Sequence, residues 1–455
     1  MKKVAFHNLG CKVNSYELDG ISQMFQKRGY EIVEFAQKAD IYVINTCTVT
    51  NLADHKSRQM LNRAKAQNPE AIVVAVGCFV QNDPKAVLTN DSIDIAIGNN
   101  HKAETVDIVE EYIKSRKKDK TLGGKTISDL SSPTCYEELP ISKTSEHTRA
   151  YIKIQDGCDQ FCSYCAIPLA RGRVRSRDRK DIIDETKRLA AAGYREVVLT
   201  GIHISSYGLT DAYNTLASND GTNTALLEII EEMAGVCGID RIRLGSLEPR
   251  LLTDEFINRI SAVKKVCPHF HISLQSGSDT VLTRMNRHYT TNMVEEKIAK
   301  LRVAFTHPAI TCDVITGFPG ETEEEFEETR AFLQKADFYE CHVFKYSRRR
   351  GTSADKMKGQ LTDAVKTKRS KILIEESNAR KCDFTQYYVG KTVSVLAEDT
   401  QKVGGRVGTV GYTPEYVRVF MPATKSGDIK EILCFERSFD TIMGSFLAID
   451  TKQQR

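Results

Sequence analysis

Residues 151–165 read YIKIQDGCDQFCSYC, and they carry the strongest structural signal in the 455-residue chain. Residues 151–156 are predicted to form a β-strand. The thiols of Cys158, Cys162 and Cys165, which we call the loop triad, follow on the loop that should leave this strand. Such a loop can wrap one [4Fe-4S] cluster. Three ligands leave the fourth iron open, as a reactive metal centre requires.

A structural zinc site is the alternative interpretation of the loop triad. Structural zinc takes four protein ligands, and the nearest histidines, His147 and His203, lie beyond the loop itself. Ligands at the C-terminal end of a barrel strand also lie where barrel enzymes place their active sites. Ligand count and position therefore favour the iron-sulfur cluster over zinc.

The same alternation of strand and helix continues downstream of this first strand. Each predicted strand is followed by a helix or a loop-helix segment. The six predicted strands span residues 151–156, 196–200, 241–245, 269–274, 309–316 and 340–346. Six such βα units predict a partial (β/α)6 barrel over residues 147–385.

Two further domains are predicted, one on each side of the barrel. Residues 1–115 alternate apolar runs at 4–9, 41–44, 72–76 and 93–97 with helical patterns around 15–28 and 51–67, which predicts a parallel α/β sheet. Residues 116–146 are polar and are interpreted as a linker or a long surface excursion. Residues 386–455 contain short β-rich runs between glycine-containing turns and predict a small all-β barrel. The fold class is thus α/β with an all-β C-terminal domain.

A second set of three cysteines lies in the N-terminal domain. Cys11, Cys47 and Cys78, which we call the strand-end triad, each come directly after a predicted parallel strand. Because the C-terminal ends of parallel strands share one edge of a sheet, these thiols should converge and could hold a second cluster. Taken singly, each is better explained as a small buried hydrophobic residue, but the repeated placement favours a cluster. The other seven cysteines are interpreted as structural: Cys135, Cys237, Cys267, Cys312, Cys341, Cys382 and Cys434.

Composition limits the compartment and the partners. With 41% hydrophobic residues and no apolar run near the roughly 18 residues of a membrane span, a soluble protein without a membrane partner is expected. An odd number of cysteines, 13, argues against a disulfide framework and for the reducing cytoplasm. The net charge is only +4, but residues 171–180 and 341–391 are strongly basic, so a polyanion could bind there.

Over essentially its whole length the chain resembles the methylthiotransferase family of radical S-adenosylmethionine (SAM) enzymes. The segments that carry this resemblance are Asn8-Leu9-Gly10-Cys11-Lys12-Val13-Asn14, Asn45-Thr46-Cys47-Thr48-Val49-Thr50, Gly77-Cys78, the Cys-x3-Cys-x2-Cys loop triad with Ala166-Ile167-Pro168, and Arg171-Gly172. The C-terminal barrel is similar to the TRAM domain of the family. The dipeptide Lys12-Val13 is typical of the MtaB branch, which acts on N6-threonylcarbamoyladenosine beside the anticodon of tRNA.

The resemblance implies an enzyme that uses two SAM molecules and two [4Fe-4S] clusters to add a methylthio group to C2 of N6-threonylcarbamoyladenosine at position 37. By position, the loop triad would hold the cluster that cleaves SAM, and the strand-end triad would hold the auxiliary, sulfur-bearing cluster. The implied partners are the tRNA anticodon stem-loop and an electron donor such as flavodoxin or ferredoxin. A cytoplasmic monomer is expected.

Three alternatives stay open at this point. Within the family, the substrate could be isopentenyladenosine-37 of tRNA or a side chain of a ribosomal protein. Outside it, the chain could be a non-catalytic iron-sulfur protein that binds RNA and has lost the reaction.

Polar residues and glycines at the barrel strand ends are expected around a bound nucleoside and methionine. The candidate cofactor contacts are Tyr164, Gly201, Glu248 and Gln275. Each could equally be a satisfied polar group that closes a strand. His203 and His271 are expected to be core or rim residues and not ligands.

Two arginine-rich segments are candidate nucleic-acid contacts. The residues proposed to contact phosphates are Arg171, Arg173, Arg175, Arg348, Arg349 and Arg350. A run of charge is also typical of an ordinary solvated face. In relatives a proline-containing stretch is expected around residues 346–351. This chain has no proline there, so its sequence does not predict the local backbone path. In the C-terminal barrel, Tyr412, Tyr416, Arg406 and Arg418 are the exposed residues expected to support RNA binding.

Overall fold

The computed structural model describes residues 1–115, 127–132, 134–139, 141, 148–209, 223–438 and 440–446. Most of the predicted linker, residues 116–146, lies outside these ranges. Across the described residues, no helix combines the length and apolar character that crossing a membrane requires.

The N-terminal domain is a five-stranded parallel sheet with helices on both faces. Its strands are β1 Lys3–Asn8, β2 Glu31–Val33, β3 Ile41–Thr46, β4 Ile72–Gly77 and β5 Ile95–Ile97, in the order β2-β1-β3-β4-β5. Its helices are α1 Lys12–Lys27, α2 Asn51–Gln67, α3 Cys78–Asn82, α4 Pro84–Leu88 and α5 Thr105–Ser115. All of β3 is buried because separate apolar clusters cover the two faces of the sheet. The predicted parallel α/β domain is confirmed.

The central domain is a partial barrel of six parallel strands, as the sequence predicts. Its strands are β6 Ala150–Asp156, β7 Arg175–Ser176, β8 Glu196–Gly201, β9 Arg241–Leu244, β10 His269–Gln275, β11 Ala309–Thr316 and β12 Glu340–Lys345, and β7 alone is antiparallel to its neighbour. Two hydrogen-bonded sheets, β7-β6-β8-β9 and β10-β11-β12, are joined by parallel bridges from Ile242 to Val266 and from Leu247 to Ile272.

Helices cover the outer face of this barrel and share one large apolar core with it. The short helix α6 Ile167–Arg171 instead packs against α3 of the N-terminal domain. The helices that cover the barrel are α7 Arg179–Ala191, α8 Thr224–Ala234, α9 Asp254–Ala262, α10 Asp279–Arg284, α11 Thr291–Ala304, α12 Glu323–Ala336 and α13 Asp363–Gln386. The inner faces of the strands are left free to carry polar side chains into the lumen.

The C-terminal domain is a closed five-stranded barrel that follows α13. Its strands are β13 Thr392–Val403, β14 Arg406–Tyr412, β15 Arg418–Met421, β16 Ile429–Ser438 and β17 Thr441–Phe446, in the closed order β13-β14-β15-β17-β16. Closure pairs every strand on both sides, which removes the unpaired edges of an open sheet. The predicted small all-β barrel is confirmed.

The two barrels are docked through arginines of β9. Arg241 donates to the carbonyl of Tyr412 at 3.0 Å, and Arg243 donates to the carbonyl of Pro414 at 2.8 Å. Tyr416 stacks on Tyr412 with ring centroids 4.7 Å apart, and the guanidinium of Arg243 lies 4.7 Å from the Tyr416 ring. Tyr412 and Tyr416 are therefore partly buried in this interface and not exposed as expected, and their role in RNA binding stays a prediction.

The described part of the predicted linker packs against the N-terminal domain. Leu130, Leu139 and Ile141 are buried, and the last two cluster with Tyr16 of α1. The polar composition that suggested a linker belongs mainly to residues outside the described ranges. These three buried apolar side chains are enough to hold the described part of the segment against the N-terminal domain.

A cluster of buried charges joins the N-terminal domain to the central barrel. Glu17 on α1 accepts hydrogen bonds from Arg171 and Lys153, both at 2.8 Å. Its second oxygen lies 2.8 Å from Lys102 Nζ. Asp156, the last residue of β6, accepts from Lys153 at 2.6 Å and from Arg171 at 3.1 Å. All five side chains are buried, so the cluster is shielded from water.

Burial alone would raise the pKa of Glu17, but the positive charges of its three partners hold that pKa well below its ordinary value. Removing one member would leave a charge unpaired in a medium that solvates it poorly. The ion cluster therefore fixes α1 against the end of β6, which is where the loop triad begins.

Replacing Glu17 by glutamine tests this coupling. Breaking a buried ion pair from one side costs about 3–5 kcal/mol, so E17Q is expected to lower the thermal unfolding midpoint by about 6 °C or more. Differential scanning fluorimetry measures this shift. The control is E110Q, which removes an exposed partner of Arg28 and should leave the midpoint nearly unchanged. Equal shifts in the two variants would contradict the role given to the ion cluster.

Candidate iron-sulfur site

The loop triad lies between β6 and α6, at the C-terminal end of the first barrel strand. The amide of Cys158 donates to the carbonyl of Gly172 at 3.0 Å, which closes the loop on itself. The amide of Ser163 donates to the carbonyl of Met285, just after α10, also at 3.0 Å. Backbone hydrogen bonds thus hold both halves of the loop.

Gly157 allows the chain to turn from β6 into this loop. Its φ of +72° lies in the left-handed region. A Cβ atom at this position would lie 1.8 Å from the carbonyl oxygen of Arg173. Glycine alone satisfies both the dihedral angle and the close approach of the backbone.

Arg287 places a positive charge beside the loop triad. Its Nη1 lies 3.1 Å from Cys162 Sγ, and its Nε donates to the hydroxyl of Tyr289 at 2.8 Å. Burial, followed by the charge of Cys162, raises the pKa of Cys165 to about 12, and the pKa of Cys158 is raised for the same reasons. Such thiols become thiolates when a metal takes the place of the proton. Three partly buried thiols with one cationic donor fit the ligand set of an iron-sulfur cluster.

The strand-end triad lies at one edge of the N-terminal sheet. Cys11, Cys47 and Cys78 follow β1, β3 and β4, which are adjacent and in register to their C-terminal ends. Cys11 is exposed, whereas Cys47 and Cys78 are buried. Burial raises the pKa of Cys47 to about 11, and the charges of Cys78 and Cys11 add to the effect. Three thiols from distant segments therefore lie close enough to interact.

Arg171, at the end of α6, reaches the strand-end triad from the central barrel. Its Nε donates to Cys78 Sγ at 3.2 Å while its Nη1 bonds Glu17 and Asp156. Asn99 Nδ2 lies 3.7 Å from the same sulfur. Donors of this kind stabilise a thiolate and tune a metal that the thiolate holds. Each triad thus has one cysteine that accepts a hydrogen bond from an arginine.

Ligand number argues against a closed structural zinc site in either triad. Structural zinc takes four protein ligands, whereas each triad supplies three thiols. Three cysteine ligands that leave one iron open are typical of a reactive iron-sulfur cluster.

A cavity of about 300 Å³ lies between the N-terminal domain and the central barrel. Val49 and Thr50, which closely follow Cys47, line one wall. Tyr164 and Cys165 of the loop triad region line the other. The volume is at the lower end of the range for small-molecule sites. The cavity therefore connects the surroundings of the two triads.

The structure separates the four candidate cofactor contacts into two groups. Tyr164 and Gln275 line the cavity, and Gln275 has a φ of +70°, a strained conformation of the kind found at functional sites. Glu248 is buried and accepts from Arg250 Nε at 2.8 Å, and Gly201 ends β8. All four stay predictions as cofactor contacts.

A phosphate-binding role does not fit three of the six candidate arginines. Arg171, Arg175 and Arg349 are buried, the first two against Asp156. Arg349 lies 2.7 Å from Asp54 and donates to Thr48 Oγ1 at 2.7 Å, so it ties the barrel to the N-terminal domain. The sequence alone does not distinguish arginines that pair with buried carboxylates from arginines that face water.

The other three candidate arginines remain accessible. Arg173, Arg348 and Arg350 are exposed. The guanidinium of Arg173 lies 4.8 Å from the ring of Phe161, an exposed residue of the loop triad segment with a φ of +47°. The exposed arginines stay predictions as phosphate contacts.

The two arginines that donate to the triads were not predicted in that role. Arg287 is 125 residues from Cys162, and Arg171 is 93 residues from Cys78. Spacing patterns within a short stretch of sequence do not predict contacts between residues so far apart in the chain. Arg171 closely follows the loop triad in the sequence, but its position there does not predict which side chains it contacts.

Comparison with known proteins identifies two family matches. Uncharacterized protein family UPF0004 matches residues 3–98, and the radical SAM superfamily matches residues 152–333. The chain is 39% identical to the threonylcarbamoyladenosine tRNA methylthiotransferase MtaB of Bacillus subtilis (strain 168), over 99% of this chain and 97% of that protein. It is 38% identical to the MtaB of Aquifex aeolicus (strain VF5), over 88% of this chain and 94% of that protein.

A second enzyme of the same chemistry is also similar. The tRNA-2-methylthio-N(6)-dimethylallyladenosine synthase of Pelotomaculum thermopropionicum is 32% identical over 89% of this chain and 88% of that protein. Among solved structures, the radical SAM methyltransferase TsrM of Kitasatospora setae matches with a TM-score of 0.55 at 15% identity, over 76% of this chain and 73% of that chain. At that identity the structural match shows the fold alone.

Replacing Gly157 by alanine tests the geometry of the loop. The Cβ atom collides with the carbonyl of Arg173, so G157A is expected to lose the iron held by the loop triad. Iron is counted after anaerobic reconstitution, with circular dichroism as the check on folding. G193A is the matched control, because Gly193 also has positive φ but nothing lies within 4 Å of its added Cβ. Full iron content in G157A would contradict the loop geometry.

Proposed function

Since the chain belongs to the family of radical SAM tRNA methylthiotransferases, we propose that it adds a methylthio group to C2 of N6-threonylcarbamoyladenosine at position 37 of tRNA. Membership in this family implies SAM and a [4Fe-4S] cluster as cofactors, and tRNA as the substrate. It also makes the chain an enzyme, so the non-catalytic alternative is set aside.

The observation that carries the proposal is that a cavity beside the loop triad is closed on its other side by the segment that follows Cys47 of the strand-end triad. Cys165 lines that cavity directly, and Val49 and Thr50 extend into it from the segment that follows Cys47. Radical initiation needs one open cluster, so a single triad would be sufficient for it. The second triad on the facing domain supports a second cluster and a reaction that also transfers sulfur.

Residues on the two sides of the cavity have different roles. When bound at the loop triad, a cluster supplies the electron that cleaves SAM and starts the abstraction of hydrogen from the inert C2–H bond. Arg287 donates to Cys162, and Tyr164 lines the same side of the cavity. On the other side, Arg171 donates to Cys78 and fixes its position. The buried ion cluster keeps the two sides at a constant separation.

The substrate branch is supported by the relatives and by one dipeptide. The two MtaB proteins reported above are 39% and 38% identical to the chain, and the dimethylallyladenosine synthase is 32% identical. Lys12-Val13, directly after Cys11, is the dipeptide typical of the threonylcarbamoyladenosine branch. The closest alternative is methylthiolation of isopentenyladenosine-37, which has the same reaction chemistry.

The partners follow from this reaction. The anticodon stem-loop would approach the cavity, with phosphates contacted by the exposed Arg173, Arg348 and Arg350. Phe161, exposed beside Arg173, offers a ring on which a base could stack. A low-potential electron donor such as flavodoxin or ferredoxin would supply electrons to a chain that acts as a monomer in the cytoplasm.

Iron counts test the second cluster. Wild type is expected to bind about eight iron atoms per chain after anaerobic reconstitution, and replacement of either triad by alanines should leave about four. The strand-end variant should still form 5′-deoxyadenosine from SAM but no methylthio product. A control with Cys135, Cys237 and Cys382 replaced should keep all the iron. An unchanged iron count in the strand-end variant would remove the second cluster from the proposal.

Nucleoside analysis tests the substrate. Expression of the chain in a bacterium that lacks its own methylthiotransferases for both threonylcarbamoyladenosine and isopentenyladenosine should produce 2-methylthio-N6-threonylcarbamoyladenosine in bulk tRNA, detected by liquid chromatography and mass spectrometry. The variant without the strand-end triad is the matched negative control. Accumulation of 2-methylthio-isopentenyladenosine instead would assign the chain to the other branch.

A further inference from the structure

Three polar residues lie side by side on the lumen face of the barrel. His271, Asp313 and His342 occupy the adjacent strands β10, β11 and β12. In the strand register, Asp313 is opposite His342, and His271 is opposite Thr311. Side chains alternate along a strand, and the neighbouring Ile272, Cys312 and Val314 lie in the apolar core under the helices. The three polar side chains therefore point inward.

The side chains are close enough to act together. His271 Nε2 lies 3.1 Å from one carboxylate oxygen of Asp313, and His271 Nδ1 lies 2.8 Å from Thr311 Oγ1. His342 Nδ1 lies 3.7 Å from the other oxygen of Asp313. Thr311 thus orients the His271 ring, and the His271 ring orients the carboxylate.

The group has hydrogen-bonding capacity that the described residues do not use. The 3.7 Å separation between His342 and Asp313 is too long for a hydrogen bond, so one carboxylate oxygen and the His342 ring have no hydrogen-bond partner among the described residues. The side chain of His342 is 49% exposed and that of Asp313 26% exposed. Asp313 also lines the cavity that Tyr164 and Cys165 line. A ligand in that cavity can reach the carboxylate of Asp313, and the ring of His342 lies beside that carboxylate.

We propose that His271, Asp313 and His342 form the subsite for the polar substituent on N6 of the target adenosine. The inference rests on the proposed function, because a threonylcarbamoyl group carries N–H and O–H donors and a carboxylate, whereas an isopentenyl group is hydrocarbon. The free oxygen of Asp313 accepts from an N–H or the hydroxyl of the substituent. His342 donates its ring N–H to the carboxylate.

The electrostatic surroundings suit a bound carboxylate. Lys12 on α1 lies close enough to Asp313 and His342 for their charges to interact. Besides Asp313, the guanidinium groups of Arg149 and Arg243 act on Lys12, and both are positive like its ammonium. The carboxylate of a threonylcarbamoyl group would provide a counter-charge. An isopentenyl group would leave Lys12, Asp313 and His342 facing hydrocarbon, which is unfavourable for all three.

A metal ion is the competing occupant of the same three side chains. Two histidines and one carboxylate are a known ligand set for iron, and the three ligand atoms lie within 4.8 Å of one another. The ammonium of Lys12 disfavours a divalent cation at this position. His271 Nε2 is also already within hydrogen-bond distance of the Asp313 carboxylate, so this nitrogen is not available as a metal ligand.

Binding of anticodon stem-loops tests the subsite. Reconstituted wild type should bind a stem-loop with N6-threonylcarbamoyladenosine at position 37 about tenfold or more tighter than the same stem-loop with unmodified adenosine. This preference should be lost in H342F and in D313N. The control is H307N, since His307 precedes β11 at the opposite end of the barrel and its φ of +48° is one that asparagine tolerates. H307N should keep the preference. Fluorescence anisotropy measures the affinities, and iron content with thermal unfolding shows that each variant is folded.

The outcomes separate the subsite from the proposed function. If wild type forms the threonylcarbamoyladenosine product but H342F and D313N keep the preference, the subsite is wrong and the function stands. If wild type modifies only isopentenyladenosine, both fail. If D313N does not fold, the stem-loop preference of H342F and of the conservative variant H342Q decides whether the subsite is correct. If wild type holds a metal beyond its clusters that D313N and H342F lose, the group is a metal site and the inference is overturned.

Discussion

The arrangement of the site depends on the guanidinium of Arg171. It donates to Cys78 on one domain and bonds Asp156, two residues before the loop triad, on the other. Glu17 completes the contact from α1, with Lys102 and Lys153 as further cations. Arg171, Lys102, Lys153 and Arg175 bring four positive charges to the two carboxylates of Glu17 and Asp156. Positive charge is therefore in excess in the buried cluster that joins the domains, and Arg171 directs one of its N–H groups to the sulfur of Cys78.

The fold was predictable because its signals are local. Apolar runs and helical patterns mark each βα unit, and the ends of parallel strands converge whatever the details of packing. The loop triad shows its chemistry within eight residues, and the strand-end triad needed only the additional step of placing three strands in one sheet. Arg171 was misassigned because its partner Glu17 lies 154 residues away. An arginine that pairs with a buried carboxylate and one that faces water have the same sequence context.

The polar cluster in the lumen shows a second limit of the same kind. His271 was expected at the core or rim, and alternation along β10 does predict that it faces away from the helices. Its relation to Asp313 and His342 depends on the register between β10, β11 and β12, which no pattern within a single strand determines. The side chains that could choose a substrate are therefore harder to predict than the thiols, although they lie on the same barrel.

A partial barrel of six strands cannot enclose its own lumen, so the other domains must complete it. Tyr416 of the C-terminal barrel packs against Arg243 and against His269 in the lumen, with ring centroids 5.3 Å apart in the second contact. Arg349 binds the N-terminal domain through Thr48 and Asp54 beside the cavity. Val49 and Thr50 of the N-terminal domain form part of the cavity wall, so the cavity depends on the contact between the two domains. Because the strand-end triad belongs to the N-terminal domain, the contact that completes the cavity also places the second set of thiols on the same side of the barrel.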